Sequence, residues 1–198
     1  MNRLNPAVCV AGAILTLAAC TRAPEKPIPP KAPFQAVASI QDLMVSIVDP
    51  SADVLWEAVS SETTAKGIEE KYPRTAQEWQ AVRNHAIALQ EAANLLMMEN
   101  RAVTHGGKAT EDAHVEGIFS PHETRKAIDA DPARFHGAAR GLQDAAGEAL
   151  HAIDAKDPAR LLVAGGKLDQ ACEHCHSIYW YPNAKQPPLK WPAPLKKN

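Results

Sequence analysis

The stretch "ACEHCHSIYWYP", Ala171 to Pro182, holds two cysteines three positions apart, a histidine directly after the second, and three aromatic residues close behind. On a helix, Cys172, Cys175 and His176 fall at i, i+3 and i+4 and share one face, so one flat ligand could meet all three. C-x-x-C-H is the attachment motif of c-type haem. Two thioethers to the haem vinyl groups would fix the macrocycle, and the adjacent imidazole would reach the iron as proximal ligand. Three rival readings stand beside this one. A thioredoxin-like dithiol needs a βαβ context, and no strand pattern lies near the motif. A structural zinc site needs four ligands, and no second cysteine pair supplies them. The third is coincidence.

Four helices are expected to position the motif. The first covers Gln35 to Val48, with Val37, Ile40, Met44 and Ile47 on one face. Asp49-Pro50 reads as an N-cap with proline at the first helical position. It would restart a segment carrying Val54, Leu55 and Ala58 after a kink or break. The second helix starts near Thr75, with Glu78 completing a capping box, and its stripe is Trp79, Val82, Ala86, Leu89, Ala93 and Leu96. Asp131-Pro132 caps the third, with Phe135, Ala138, Leu142, Ala145, Ala149 and Ile153. Asp157-Pro158 caps the fourth, with Leu161, Gly165, Leu168, Cys172, Cys175 and Tyr179. The haem cysteines thus fall on the apolar stripe of their own helix. Short links from first to second and third to fourth helix predict an all-α, antiparallel four-helix bundle, with covalent haem near the C-terminal end of the last helix.

This order of elements, with "CEHCH" near the C-terminus, resembles the class II cytochromes c, the family of cytochrome c-prime and its low-spin relatives. The resemblance covers roughly Gln35 to Pro182, and "YWYP" and "LMVSIVDPSADVLW" add to it. The segment from Asn100 to Ala130 is longer than the family's compact pattern. In an up-down-up-down bundle the haem end collects the start of helix one, the end of helix two, the start of helix three and the end of helix four. Met44, Leu96, Met97 and Phe135 should therefore neighbour the haem. Low-spin relatives take a methionine from the first helix as axial ligand, which implies Met44 opposite His176. Met97 is a second candidate, His136 a weaker one, and a core-filling role for Met44 competes. Phe135 and Tyr179 to Tyr181 would pack the haem edge.

The remaining histidines invite a blander reading. His85 lies at the boundary of the helix-two stripe, His151 points away from its stripe, and His174 is the variable, solvent-facing part of the motif. His105, His114 and His122 lie with Glu111, Asp112 and Glu116 in the 100–130 connection, where a solvated loop is favoured over metal binding. That connection crosses the haem end and should shield it. Within it, "SPHETRKAIDA", Ser120 to Ala130, is compatible with a short helix.

The 198 residues suit one domain of ordinary size with extensions. Hydrophobic residues make up 45% and aromatic residues only 5%, a profile that favours close-packed, alanine-rich helices. A formal net charge of -2 leaves no basic footprint for nucleic acid. The opening "MNRLNPAVCVAGAILTLAAC" has Arg3, an apolar run from Ala7 to Ala19, and small residues before Cys20, as an export signal does. "LAAC" resembles the lipobox of bacterial lipoproteins, which implies cleavage before Cys20 and lipidation of it. A plain secretory signal is the alternative. By the same resemblance, Thr21 favours the outer membrane. Residues 1–19 would then be signal peptide and 20–34 a lipid anchor with a proline-rich tether, whose stretch Arg22 to Pro33 would reach about 35 Å at about 3.1 Å per residue. The cytochrome domain would occupy 35–181, and 182–198 a Pro/Lys-rich tail. In an oxidising compartment two free thiols tend to pair. Thioether bonds to haem would withdraw Cys172 and Cys175 from that chemistry.

The leading functional expectation is an exported, lipid-anchored, periplasmic monohaem cytochrome c, with one covalent haem c, that passes single electrons between redox partner proteins. Pairing into a homodimer is left open. No acid–base pair or nucleophile constellation argues for an enzyme. The alternatives are a cytochrome c-prime-like protein binding NO or CO at an open iron, which requires that Met44 not ligate, and a haem-free structural lipoprotein.

Overall fold

The computed structural model of the protein describes residues 34–183. The chain divides into two units, Met1–Phe34 and Gln35–Asn198. The expected signal peptide, Cys20, the tether up to residue 33 and the tail from residue 184 lie outside the described residues. The described part is mostly helical, with one small two-stranded sheet.

The first helix starts later than its apolar pattern predicts. Ser39 Oγ accepts from the Asp42 N–H at 3.1 Å, and Asp42 Oδ2 accepts from the Ser39 N–H at 2.9 Å, a capping box. Helix α1 (Ile40–Leu43) runs directly into a π-helical turn (Met44–Val48) and then into α2 (Asp49–Glu57). The expected N-cap and break at Asp49-Pro50 are absent. Asp49 is helical, with φ -57° and ψ -53°, and its N–H donates to the Met44 carbonyl. Pro50 has no N–H to return to the preceding turn, and the widened turn accommodates that loss without ending the helix. Val37, expected on the core face, precedes the helix and is 78% exposed. Leu43, Val48, Ala52 and Leu55 are the residues that this segment buries, with Ile40, Met44, Ile47, Val54 and Ala58 partly buried beside them.

A hairpin occupies what the sequence pattern reads as a plain link. Strand β1 (Ser60–Thr64) pairs antiparallel with β2 (Gly67–Lys71), Ser60 opposite Lys71 and Thr63 opposite Ile68. Thr64 Oγ1 accepts from the Lys66 N–H and donates to the Gly67 carbonyl, both at 3.1 Å. Gly67 supplies a φ of +118°, which L side chains rarely adopt. All of β2 is exposed, so the hairpin adds nothing to the core.

Helix α3 (Ala76–Leu96) begins at the Thr75/Glu78 capping box, and its six-residue stripe from Trp79 to Leu96 is buried. Helix α4 (Pro121–Ala130) follows the same rule with Ser120 and Glu123. Helices α5 (Pro132–Asp154) and α6 (Pro158–Tyr179) both start at Asp-Pro. Asp131 and Asp157 accept from the N–H groups of Arg134 and Arg160 at 3.0 Å, and proline at the first position forfeits only a donor that lacks a helical partner anyway. The α5 stripe is buried throughout. On α6, Leu161, Gly165, Leu168 and Tyr179 are buried, but Cys172 and Cys175 are only half-buried.

Side-chain pairs fix how the long helices run. Early α3 meets late α5 through Arg83 Nε and Asp154 Oδ1 at 2.7 Å, while late α3 meets the middle of α5 through Gln143 Nε2 donating to Asn94 Oδ1 at 3.0 Å. These two helices are therefore antiparallel. Phe135 at the start of α5 lies edge-on to Tyr179 at the end of α6, ring centroids 5.2 Å apart, so α5 and α6 are antiparallel too. Ala86, Ala92, Ala93, Ala146 and Ala149 are fully buried in the core, letting backbones approach closely. Gly165 has the same effect against α2: Trp56 Nε1 donates to its carbonyl at 3.0 Å, and a Cβ there would lie 3.3 Å from Trp56 Cδ1.

Candidate functional site

A second, smaller cluster of buried residues, Ile128, Phe135, Ala138 and Tyr179, borders a cleft of about 740 Å³ measured out to its open mouth. Its walls come from separate elements: Ile40 and Met44 from the first helical segment, Leu96 from the end of α3, Val103 from the connection, Ile128 from α4, Phe135 and Ala139 from α5, and Cys175, His176 and Tyr179 from α6. Met44, Phe135, Cys175, His176 and Tyr179, singled out from sequence, thus line one cleft. Cys172 sits nearly one turn back on α6, half-buried against the main core rather than on the wall. Met97 also packs on the main core, and Leu96 takes the wall position instead.

The chemistry of these walls is largely apolar. Both cysteines are free. Burial among apolar neighbours pushes the thiols of Cys172 and Cys175 up to about 12, the charge of Cys175 adding at Cys172, so both are neutral –SH at physiological pH. Tyr179 is 5% exposed, and its Oη has no hydrogen-bond partner among the described residues. Burial raises its phenol as well, and a buried hydroxyl left unpaired costs about 1–3 kcal/mol. Tyr181 is buried but satisfied: its Oη donates to Glu173 Oε1 at 2.7 Å, and burial followed by that bond pushes its phenol well above the usual range.

The end of α6 folds back around His176. The His176 carbonyl accepts from the N–H groups of Trp180 and Tyr181 at 2.9 and 3.0 Å. The rings of these two residues stand edge-on to the imidazole at 5.1 and 6.0 Å between centroids. Across the mouth lies the 100–130 connection. Its Glu111 N–H donates to Gln41 Oε1 at 2.9 Å, and its Glu111 carbonyl accepts from Trp180 Nε1 at 3.1 Å. Phe119 N–H donates to the Trp180 carbonyl at 2.7 Å, and Thr124 Oγ1 to the Tyr179 carbonyl at 2.9 Å.

Arg101 is a residue that sequence reasoning missed. It is 3% exposed. Its Nε donates to the Leu95 carbonyl at 2.8 Å, one terminal nitrogen donates to the Ala38 carbonyl, and the other to Met98 Sδ at 3.2 Å. The following carbonyls of Ala102 and Val103 accept from the N–H groups of Ile40 and Gln41 at 2.8 and 3.0 Å. The start of α1, one turn before Met44, is thus anchored to residues 101–103. An arginine in a polar connection carries no sequence signal for such burial. Only the π-helical turn had one, in Pro50 within an otherwise helical pattern.

The other histidines lie away from the cleft walls. His85 Nδ1 pairs with Ser51 Oγ at 3.2 Å, and His136 is tilted against Phe135 at 6.4 Å. His105 Nε2 lies 2.9 Å from the Val37 carbonyl and 3.3 Å from Asp42. His114, His122, His151 and His174 are exposed. Among the described residues no three His, Cys, Asp or Glu side chains converge as metal ligands, and no helix is long and apolar enough to cross a membrane.

A flat, apolar, iron-bearing group suits this donor set. The cleft offers one imidazole, one thioether, a neutral thiol and aromatic walls, and the buried Tyr179 phenol has no hydrogen-bond partner among the described residues. Compared with protein-family models, curated proteins and solved structures, the chain finds no match.

Proposed function

We propose that the protein is an exported, lipid-tethered monohaem cytochrome c of the class II type. In this reading the helices form an antiparallel four-helix bundle that carries single electrons between redox proteins on the periplasmic side of a bacterial membrane, with Cys20 lipidated and the outer membrane favoured. The supporting observation is that Met44, Cys175 and His176, far apart in sequence, line one apolar cleft. Haem c, when bound, supplies an iron that gains and loses one electron.

The chain's own residues account for the rest. Cys175, on the cleft wall, and Cys172, nearly one turn behind it on α6, would hold the group covalently. The His176 imidazole and the Met44 thioether would be the donors available to its iron, and a thioether favours the reduced iron relative to a second nitrogen. Phe135, Ile128 and Leu96 give the cleft apolar walls that would surround the group. The Gln41–Glu111–Trp180 bonds hold the connection across the mouth. The test is covalent haem: full-length protein co-expressed with a cytochrome maturation system should retain haem-peroxidase staining on a denaturing gel. Loss of haem on denaturation, or retention by Cys172→Ala/Cys175→Ala, would sink the reading.

A further inference from the structure

Arg101 places a permanent positive charge inside the protein, beside the cleft. Its hydrogen-bond acceptors are two backbone carbonyls and a thioether. Its guanidinium makes no ion pair with a carboxylate among the described residues, and desolvation alone pulls its pKa down. The neighbouring Arg125, by contrast, is paired with Asp129 at 2.9 Å. Burying an uncompensated charge is costly, and a guanidinium does not escape the cost by deprotonating. Leu95, Ala38 and Arg101 itself lie within two residues of the wall residues Leu96, Ile40 and Val103, at most about 7 Å of chain. The acids that also border the cleft are Asp49, half-buried, and Glu111, exposed on the connection. Water and salt screen the exposed Glu111 much more than the buried Arg101, while the half-buried Asp49 acts against Arg101.

We propose that Arg101 is the residue that sets the cleft's preference for the electron-rich state of its bound redox group, raising its reduction potential. The inference rests on the haem reading above. Oxidising the iron adds a positive charge to the cleft, and a fixed cation a few residues from the wall opposes that change through poorly screened protein. Arg101 does not touch the group in this scheme. It acts through the field, and through the carbonyls it holds it also positions α1.

These two roles are separable. In Arg101→Gln the charge is lost and part of the hydrogen bonding kept, and in Arg101→Lys the charge is kept. Met98→Glu leaves Arg101 in place and sets a carboxylate against its terminal nitrogen, with Met98→Gln as the neutral control. The readouts are the midpoint potential of the full-length holoprotein and the sulfur-to-iron charge-transfer band, which reports whether Met44 still ligates. The expected result is a lower potential in Arg101→Gln and in Met98→Glu with the band intact, and a potential near wild type in Arg101→Lys and Met98→Gln. An unmoved potential in Met98→Glu, in protein that keeps the band, overturns the inference even where Arg101→Gln fails to fold. Absence of covalent haem in the wild type removes the haem reading and the inference with it.

Discussion

Trp180 Nε1 donates to the backbone carbonyl of Glu111 at 3.1 Å, joining the residue that ends α6 to the middle of the long connection. The N–H of the same Glu111 is held by Gln41 on α1 at 2.9 Å. One residue therefore bridges the α1 turn that leads into Met44 and the residue that follows α6, the helix of His176. Trp180→Phe keeps the ring but deletes the donor. Losing such a bond should cost about 0.5–1.5 kcal/mol in urea unfolding, and in a Met44→Ala background it should speed carbon monoxide association. An association rate unaltered by the change would mean that the connection does not gate the cleft.

Met44 lines the cleft where the helix widens into its π turn. Met44→Ala should abolish the charge-transfer band of the ferric protein and open the iron to carbon monoxide. A wild-type protein that is already high-spin and binds the gas would shift the reading from electron carrier to gas binder.

The motif thiols give a pH signature before haem is attached. Their pKa values are raised from 9.0 to about 12 in the fold, so folding retains the protons. The associated stability is intact below the unfolded value near 9 and is lost as pH rises toward 12. At pH 8 the folded apoprotein should react with a thiolate-selective alkylating agent two to three orders of magnitude more slowly than the urea-unfolded chain, by about the ratio of thiolate fractions. Equal rates would show that the thiols are not desolvated.

Ser39 is fully buried and caps α1 through Asp42. Ser39→Ala should cost about 1 kcal/mol, within the usual 0.5–2 for a lost N-cap, read as a lower urea midpoint. Because this cap lies one turn before Met44, the charge-transfer band should weaken as well. A stability loss without any change in the band would separate the cap from the ligand.

Lipidation tests the export reading independently of haem. A fatty-acid analogue should label the wild type and not Cys20→Ser. Unlabelled wild type released in soluble form would leave "LAAC" an ordinary export signal.

Much of the helical layout was legible in the residues. Thr75 with Glu78, Asp131-Pro132 and Asp157-Pro158 announce helix starts because a cap depends on side chains within a few residues of the backbone it satisfies. The stripes of α3 and α5 were legible for a similar reason: a fixed 3.6-residue period places them on one face whatever the partner. Asp49-Pro50 carries the same local signal as Asp131-Pro132 and yet starts no helix. There, packing of Leu43, Val48, Ala52 and Leu55 into one core favours a widened, continuous helix over the break. The hairpin at Ser60–Lys71 escaped because its exposed strands have no apolar alternation to betray them.

For the candidate site, the residue types and spacing alone placed Cys172, Cys175 and His176 at i, i+3 and i+4 of one helix, close to the same face by geometry. Which residues surround them was decided only by tertiary structure. Met44, Phe135 and Tyr179 reach the cleft, Cys172 and Met97 remain against the main core, Arg101 is buried, and Glu111 spans the mouth. Each of those outcomes depends on chain segments tens of residues apart competing for the same space and the same carbonyls. No local period or cap encodes such a competition.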